Sequence, residues 1–207
     1  MSTIHLPERC GVMLLPDCTL FPHGGLPLYI YEPRYRKMLE DVIEGDCFFA
    51  VARQVAVVGH PSECVAPVGT IGLVRASHEQ KDGTSQLLLH GVMRVRFTEW
   101  HDDMDYPYAS IEPVISVFTP ENQSQAAMKT LRGAVEDTIR SLDQEIQNGV
   151  LSLLDRAEDP GLMTDIVCQQ FIHEADLRQE LLEMESVGGR IPVICEYLRK
   201  VSEAAEG

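Results

Sequence analysis

Two short stretches contain residues whose types and spacing suggest chemistry. Cys18 and His23 lie five residues apart, and a thiolate beside an imidazole is the arrangement of a cysteine nucleophile with its general base. No third orienting residue and no glycine loop for an oxyanion accompany them. His101, Asp102 and Asp103 look like part of a metal site, but adjacent loop residues seldom reach one ion without distant ligands. We interpret this second stretch as a solvated acidic turn and predict no catalytic residue, no cofactor and no metal.

The glycines do not predict a nucleotide site. The sequence contains no GxxxxGK[ST] phosphate loop, and Gly69, Gly72 and Gly91 do not form a GxGxxG turn before a helix. We interpret these three glycines as backbone positions where a side chain would clash or where a positive φ is needed.

Composition narrows the class of protein. The chain has 207 residues, 44% of them hydrophobic and 24% charged, which is typical of a folded globular protein. A net charge of −15 repels phosphate backbones, so we expect no nucleic-acid partner. No signal peptide and no apolar run of about 18 residues is evident, so we expect no membrane segment. Six scattered cysteines without a CxxC pair favour reduced thiols and a cytoplasmic location.

The stretch 1–119 has the pattern of a β-rich domain. Lys81-Asp82-Gly83 separates two apolar runs within 68–100 and predicts a hairpin, and the uneven alternation beyond it predicts a bulge near Gly91. The stretch 59–64 is predicted to be a turn or loop. A short helix is predicted at 33–44, and the other strands are predicted at 12–16, 26–31, 47–57 and 106–118.

The stretch 120–207 predicts a helical bundle. One long helix is expected to end at Asn148-Gly149, with a single apolar stripe of Met128, Leu131, Val135, Ile139, Leu142 and Ile146. Asp159-Pro160 is expected to begin a second helix, with Leu162, Ile166, Val167 and Phe171 on one side. A third helix is expected in ADLRQELLEMES. In the last helix Pro192 is expected in the first turn, with Gly188-Gly189 as the preceding connection.

Several blocks, taken in order, resemble the N-terminal, substrate-binding domain of the Lon ATP-dependent proteases. They are LPLYIYEPRYRKMLEDVIEGDCFFAVA, GTIGLVRA, the KDG hairpin, LLLHGVMRVRF, YPYASIEPV, DPGLMTDIVCQQF, LRQELLE and the connection into Arg190. The resemblance implies an α+β fold: a PUA-like, six-stranded β pseudo-barrel with a short helix, followed by a C-terminal helical bundle. The family-signature structural residues it implies are Glu32, Pro33, Arg34, Tyr35, Gly69, Gly72, Gly91 and Arg94.

The junction at Glu32-Pro33 is either a reactive site or a corner between sheet and helix. Pro33 suits the first helical position and keeps Glu32 extended, so the carboxylate faces the positive end of the helix dipole. Arg34 or Arg36 is expected to pair with Glu32 or with a barrel carbonyl, while Tyr35 covers the strand. We interpret the junction as a structural corner, with a binding hot spot as the alternative.

The resemblance also implies function. Full-length Lon proteases add an ATPase and a serine–lysine peptidase, and this sequence has neither a phosphate loop nor a segment like the peptidase dyad. We therefore expect a stand-alone, non-catalytic module that binds unfolded or specific protein substrates, with a separate ATP-dependent protease as a further candidate partner. The candidate peptide contacts are Leu20, Phe21, Pro22, Tyr29 and Tyr31. The alternatives are a small cytoplasmic enzyme or ligand-binding barrel, and an RNA-binding barrel, which 17 Lys and Arg residues make less favourable.

Overall fold

The computed structural model of the protein describes residues 6–118 and 121–206. The chain forms two compact units, of which the first ends at Val114 and the second begins at Ile115. The predicted boundary between residues 119 and 120 lies outside the described residues, and the compact units divide a few residues before it.

The first unit is a six-stranded sheet with two helices. The predicted hairpin and the helix at 33–44 are confirmed, whereas the stretch 59–64 forms a short helix because Pro61 occupies its first position and the His60 side chain accepts a hydrogen bond from Ser62 N–H. The elements are β1 Arg9–Leu15, β2 Gly25–Ile30, α1 Pro33–Glu44, β3 Phe48–Arg53, α2 Pro61–Cys64, β4 Val68–Glu79, β5 Ser85–His101 and β6 Tyr108–Pro113.

Strand β5 closes this sheet into a barrel by changing partners along its length. The strand order is β2-β5-β4-β3-β1-β6, and β5 also pairs with β6. Residues 85–90 of β5 pair with β2, and residues 95–101 pair with β6. The five strands β5, β4, β3, β1 and β6 therefore form a closed ring, in which only the β1–β3 pair is parallel. Strand β2 lies outside that ring, hydrogen-bonded to the first half of β5.

Both faces of the central strands are buried, in two separate apolar clusters. On β3, Phe49 and Val51 contact the cluster that includes the α1 residues Met38 and Leu39. The alternate β3 residues 48, 50 and 52 belong to the second cluster, to which all five ring strands contribute. Because this second cluster draws on the whole ring, it fills the barrel interior with side chains.

Two of the predicted backbone glycines lie where main chains come close together. A Cβ on Gly91 would lie 2.4 Å from the Phe21 carbonyl oxygen, and one on Gly69 would lie 2.3 Å from that of Val51. Both contacts are with backbone atoms, which cannot turn aside as a side chain can. The predicted bulge is also present, because Ile71 pairs with Met93 whereas Gly72 pairs with Gly91, which leaves Val92 unmatched. Arg94, from the same strand, is buried at 2% exposure.

The junction at residues 32–35 has the geometry of a corner. Pro33 is the first residue of α1, Glu32 is extended, and Arg34 pairs with the Glu32 carboxylate at 2.8 Å. Tyr35 is buried, and its hydroxyl accepts a hydrogen bond from Leu14 N–H at 3.1 Å. The ion pair is largely exposed, so it contributes little stability, whereas the tyrosine joins the helix to strand β1.

The segment before β2 is a tight turn with an unusual residue in it. Gly24 N–H donates to the Phe21 carbonyl, Pro22 is the second residue, and His23 has a φ of 62°, the features of a type II turn. His23 N–H donates to the Gly91 carbonyl and Gly91 N–H donates to Gly24, so two residues of this segment oppose one residue of β5. The position of His23 favours glycine.

This turn corrects part of the predicted contact surface. Leu20, Phe21 and Pro22 are buried, with Leu20 and Phe21 at 1% and 0% exposure. The Thr70 hydroxyl also donates to the Leu20 carbonyl at 2.6 Å, which fixes the segment against β4. These side chains belong to the core, so a bound peptide cannot contact them in this conformation.

The second unit is helical, as predicted, but its helices have different limits. They are α3 Glu121–Ile139, α4 Gln144–Leu154, α5 Pro160–Phe171, α6 Ala175–Glu183 and α7 Val187–Glu206. Asp159 caps α5 by accepting a hydrogen bond from Leu162 N–H at 2.9 Å, as predicted.

The single long helix was a wrong prediction. The helix ends at Ile139, and α4 begins at Gln144, after its N-cap Asp143, and contains Asn148 and Gly149. The Gln147 side-chain amide donates to the carbonyls of Arg140 and Leu142, which satisfies acceptors that a continuous helix would have bonded internally. A break of about four residues nearly equals one helical turn, so the apolar spacing continues through it unchanged. Leu142 lies in the break and Ile146 lies on α4, and they are 44% and 50% exposed, so the buried stripe ends with Ile139 on α3.

Two further helical predictions are corrected, one by the burial of α5 and one by the position at which α7 begins. Leu162, Ile166 and Phe171 are only half-buried, and the buried side of α5 is formed by Pro160, Gly161, Met163, Thr164, Asp165, Val167 and Cys168. Helix α7 begins at Val187, so Pro192 is its sixth residue and Gly188-Gly189 is helical. The helix loses one hydrogen bond at Pro192. Contacts of Arg190 hold this segment in place.

Arg190 is a completely buried charge at the centre of the second unit. Its Nη1 donates to Asp165 Oδ1 at 2.8 Å and to Thr164 Oγ1 at 3.3 Å, and its Nε donates to the Met184 carbonyl at 3.0 Å. Its Nη2 lies 3.4 Å from Ser116 Oγ. One guanidinium therefore joins α5, α7, the end of α6 and the segment before α3.

We predict that His23→Gly is more stable than His23→Ala by about 1 kcal/mol, because only glycine adopts the positive φ without steric cost. Both variants remove the imidazole, so its edge contact with the His90 ring is lost equally. Urea unfolding of the two variants measures the difference. Equal stability would show that His23 is not strained.

We predict that Arg190→Met lowers the free energy of unfolding by about 3–5 kcal/mol, because Asp165 then remains buried without its cation. The double variant Arg190→Met/Asp165→Leu removes both charges and should recover part of that loss. Chemical denaturation of the three proteins checks this. A loss below about 1 kcal/mol for Arg190→Met would contradict the central role of the pair.

Candidate functional site

The outer side of strands β2, β5 and β4 carries an exposed apolar surface. Successive residues of β2 point to opposite sides. Leu26, Leu28 and Ile30 face the cluster beneath α1, whereas Pro27, Tyr29 and the following Tyr31 are exposed. We call the outer surface the tyrosine face and define it by Pro27, Tyr29, Tyr31, Ala76 and Leu88.

Strand pairing brings the members of the tyrosine face together. Pro27 lies opposite Leu88 in the β2–β5 register, and Leu88 lies opposite Ala76 in the β5–β4 register. The rings of Tyr29 and Tyr31 stack with centroids 6.0 Å apart. Tyr29 and Tyr31 are 52% and 61% exposed, and Leu88 is 43% exposed. The Tyr29 hydroxyl donates to Thr84 Oγ1 at 3.2 Å, which orients its ring.

A shallow groove of about 520 Å³ runs along this surface. It is lined by Pro27, Leu28, Tyr29, Ala76, Ser77, His78, Gln86, Leu87 and Leu88. None of these residues is Asp, Glu, Lys or Arg, although the whole chain has a net charge of −15. The groove is therefore suited to uncharged, apolar groups, because a charged group would lose its hydration without gaining a counter-ion.

Tyr29 and Tyr31 were candidates from the sequence, whereas Pro27, Ala76 and Leu88 were not. Leu88 lies between the buried Leu87 and Leu89, so the run LLLH reads as a fully buried strand. The strict alternation of strand faces was the available signal, since two buried leucines place the one between them on the other side.

The remaining sequence candidates lie in ordinary structural surroundings. His101 Nε2 is 2.7 Å from Ser110 Oγ, and the His23 ring packs edge-on against His90. Within residues 6–118 and 121–206, no three His, Cys, Asp or Glu side chains converge in a way that would hold a metal ion.

The buried cysteines are poor nucleophiles. Burial raises the pKa of the Cys10 thiol to about 12, against a smaller opposing effect of a backbone hydrogen bond with Ala50. Burial also raises the pKa of Cys168 far above its usual range. Because the thiolate is the reactive form, neither residue is a candidate for covalent chemistry at neutral pH.

No helix in the described part of the chain has both the length and the apolar character needed to cross a lipid bilayer.

The fold and the site together define an α+β protein with a barrel unit, a helical unit and an exposed apolar surface on the sheet. The chain belongs to the family of the ATP-dependent protease La (LON) substrate-binding domain, whose family model matches residues 9–200. The predicted family and the α+β fold class are thereby confirmed.

Curated Lon proteases are similar to this chain over nearly its whole length. Lon protease 2 from Desulfotalea psychrophila is 26% identical over 197 residues, which cover 94% of this chain and 25% of that protein. Lon protease from Escherichia coli K12 is 26% identical over 201 residues, covering 95% and 25% respectively. The chain thus spans about a quarter of the length of these curated relatives.

Two solved structures share the fold. The N-terminal domain of Mycobacterium avium complex Lon protease matches with a TM-score of 0.75 at 12% identity, covering 93% of this chain and 98% of that domain. A Lon N-terminal domain protein from Xanthomonas campestris matches with a TM-score of 0.61 at 18% identity, covering 90% and 96%.

We predict that iodoacetamide at about pH 8 labels Cys18 and Cys47 in the folded protein and leaves Cys10, Cys64 and Cys168 unmodified. Cys18 and Cys47 are half-buried residues, whereas the other three are buried. Peptide mass spectrometry after a short reaction measures the modified fraction, and labelling in urea shows that every thiol can react. Rapid native labelling of Cys10 would contradict the burial argument.

Proposed function

We propose that the protein is a non-catalytic module that binds unfolded or apolar segments of other proteins through the tyrosine face. The observation that carries this proposal is the exposed, uncharged groove beside Tyr29 and Leu88 in a chain of the Lon substrate-binding family. Aromatic side chains contribute strongly to protein interfaces because they bury a large area at a low cost in conformational entropy.

The packing of the barrel supports binding on the outside. Its interior includes Val12, Phe48, Ile71 and Val95, and each of these four residues is at most 7% exposed. A barrel filled in this way is suited to a scaffold, whose ligand contacts the surface. This favours the protein-binding function over the alternative of a small enzyme or a ligand-binding barrel.

We further propose that the bound segments are substrates presented to an ATP-dependent protease and that the protein acts in the cytoplasm. Family membership supports the first part. The six free cysteines support the second, because thiols persist in a reducing compartment. The net charge of −15 supports protein rather than nucleic-acid partners.

We predict that Tyr29→Ala/Tyr31→Ala weakens binding of an unfolded, apolar peptide by about tenfold or more, because two exposed aromatic contacts are removed together. Fluorescence anisotropy measures the dissociation constant of a labelled peptide in which Val, Leu and Phe alternate with Ser and Thr. A peptide of equal length and charge with Gly at the apolar positions serves as the non-binding reference.

The matched control is Leu142→Ala/Ile146→Ala, which removes two apolar side chains of similar exposure from the second unit. This variant should bind the peptide as the wild type does. Thermal melting checks that all proteins are folded. Equal weakening by both double variants, or no binding by the wild type, would contradict the proposal.

A further inference from the structure

The outer edge of strand β2 borders the tyrosine face, and no strand of the described residues pairs with it. Among the strands of the described residues, β2 pairs with β5 alone. An edge strand of this kind offers a template on which another extended chain can form a ladder.

The direction of each backbone group on β2 follows from its pairing. Gly91 N–H donates to the Gly24 carbonyl, and the inward direction recurs at every second residue of a strand. The backbone groups of Leu26, Leu28 and Ile30 therefore point toward β5. Those of Gly25, Pro27 and Tyr29 point away from β5, toward the open edge of β2. The outward side thus offers three carbonyl acceptors but only two N–H donors, because proline has none.

The absence of charged side chains along this edge restricts which polypeptide segments can be added to it. The segments 24–31 and 84–90 contain no Asp, Glu, Lys or Arg, and neither does the lining of the groove. A strand placed along β2 would direct every second side chain over the outer surface beside Tyr29 and Tyr31. Uncharged segments with apolar or aromatic residues at alternate positions match this surface.

We propose that the protein binds its polypeptide substrates in extended form, as an additional strand on the edge of β2, with alternate apolar side chains on the tyrosine face. This inference rests on the proposed function and specifies its mode: main-chain hydrogen bonds hold the segment, and the tyrosine face selects apolar residues at a spacing of two. A helical segment presents no free backbone groups and does not fit.

Selective N-methylation of the peptide tests this mode. The alternating peptide is synthesised in two forms, one methylated at the odd-numbered amides of its central part and one at the even-numbered amides. Only one set of amides faces β2 in a ladder, so one form should lose at least about tenfold in affinity while the other binds as the parent does. Both forms carry the same number of methyl groups, so each is the control for the other.

Pro27→Val gives a second, independent readout. Valine keeps an apolar side chain on the outer surface and adds an N–H donor to the edge, so the affinity for the parent peptide should rise about threefold or more. Pro27→Val should give no gain in affinity for the N-methylated peptide that has lost binding to the wild type. Circular dichroism and thermal melting show whether the variant is folded.

The outcomes separate this mode from the proposed function. Equal binding of both methylated forms, with continued sensitivity to Tyr29→Ala/Tyr31→Ala, would overturn strand addition and leave the tyrosine face as the binding surface. No binding of the parent peptide by the wild type would overturn both. A dimer in light scattering that excludes the peptide would assign the β2 edge to a second copy of this chain and would likewise overturn the proposal.

Discussion

The contact between the segment at residues 20–24 and Gly91 is the constraint on which the barrel unit depends. At that point β5 stops pairing with β2 and begins to approach β6, and the turn before β2 is bonded to both main-chain groups of Gly91. The Thr70 hydroxyl fixes the same turn from the neighbouring strand. Any side chain at residue 91 would separate these backbones, since its Cβ would overlap a carbonyl oxygen. Closure of the ring and exclusion of β2 from it are therefore two results of one close approach.

A second constraint, of a different kind, organises the helical unit. Arg190 is fully buried, and removal of its charge from water is costly unless every donor finds an acceptor. Its partners come from segments far apart in the sequence, including Asp165 on α5 and the Met184 carbonyl beyond α6. The planar guanidinium fixes both distance and direction, so it aligns these segments more strictly than apolar packing alone would. The helix accommodates Pro192 within this arrangement.

The sequence predicted most strands and turns of the barrel unit because their signals are local. Gly83 at the hairpin, with a φ of 78°, and Pro33 at the start of α1 act through the conformations of single residues. The helical limits were less predictable, since the break between Ile139 and Gln144 preserves the apolar period and its carbonyls accept hydrogen bonds from the Gln147 side chain. Two of the five residues that define the tyrosine face, Tyr29 and Tyr31, were candidates from the sequence. Leu20 and Phe21 were misplaced because apolar residues near a proline suit a turn equally well in the core or on the surface.

Pro27 has a consequence for how this protein behaves at high concentration. An open strand edge beside apolar side chains is the usual starting point for fibril growth, in which identical chains stack through uninterrupted ladders. A missing donor in the middle of β2 interrupts every such stack at the same residue, in each successive copy. An edge that lacks this donor therefore pairs less readily with an identical copy than an uninterrupted strand would.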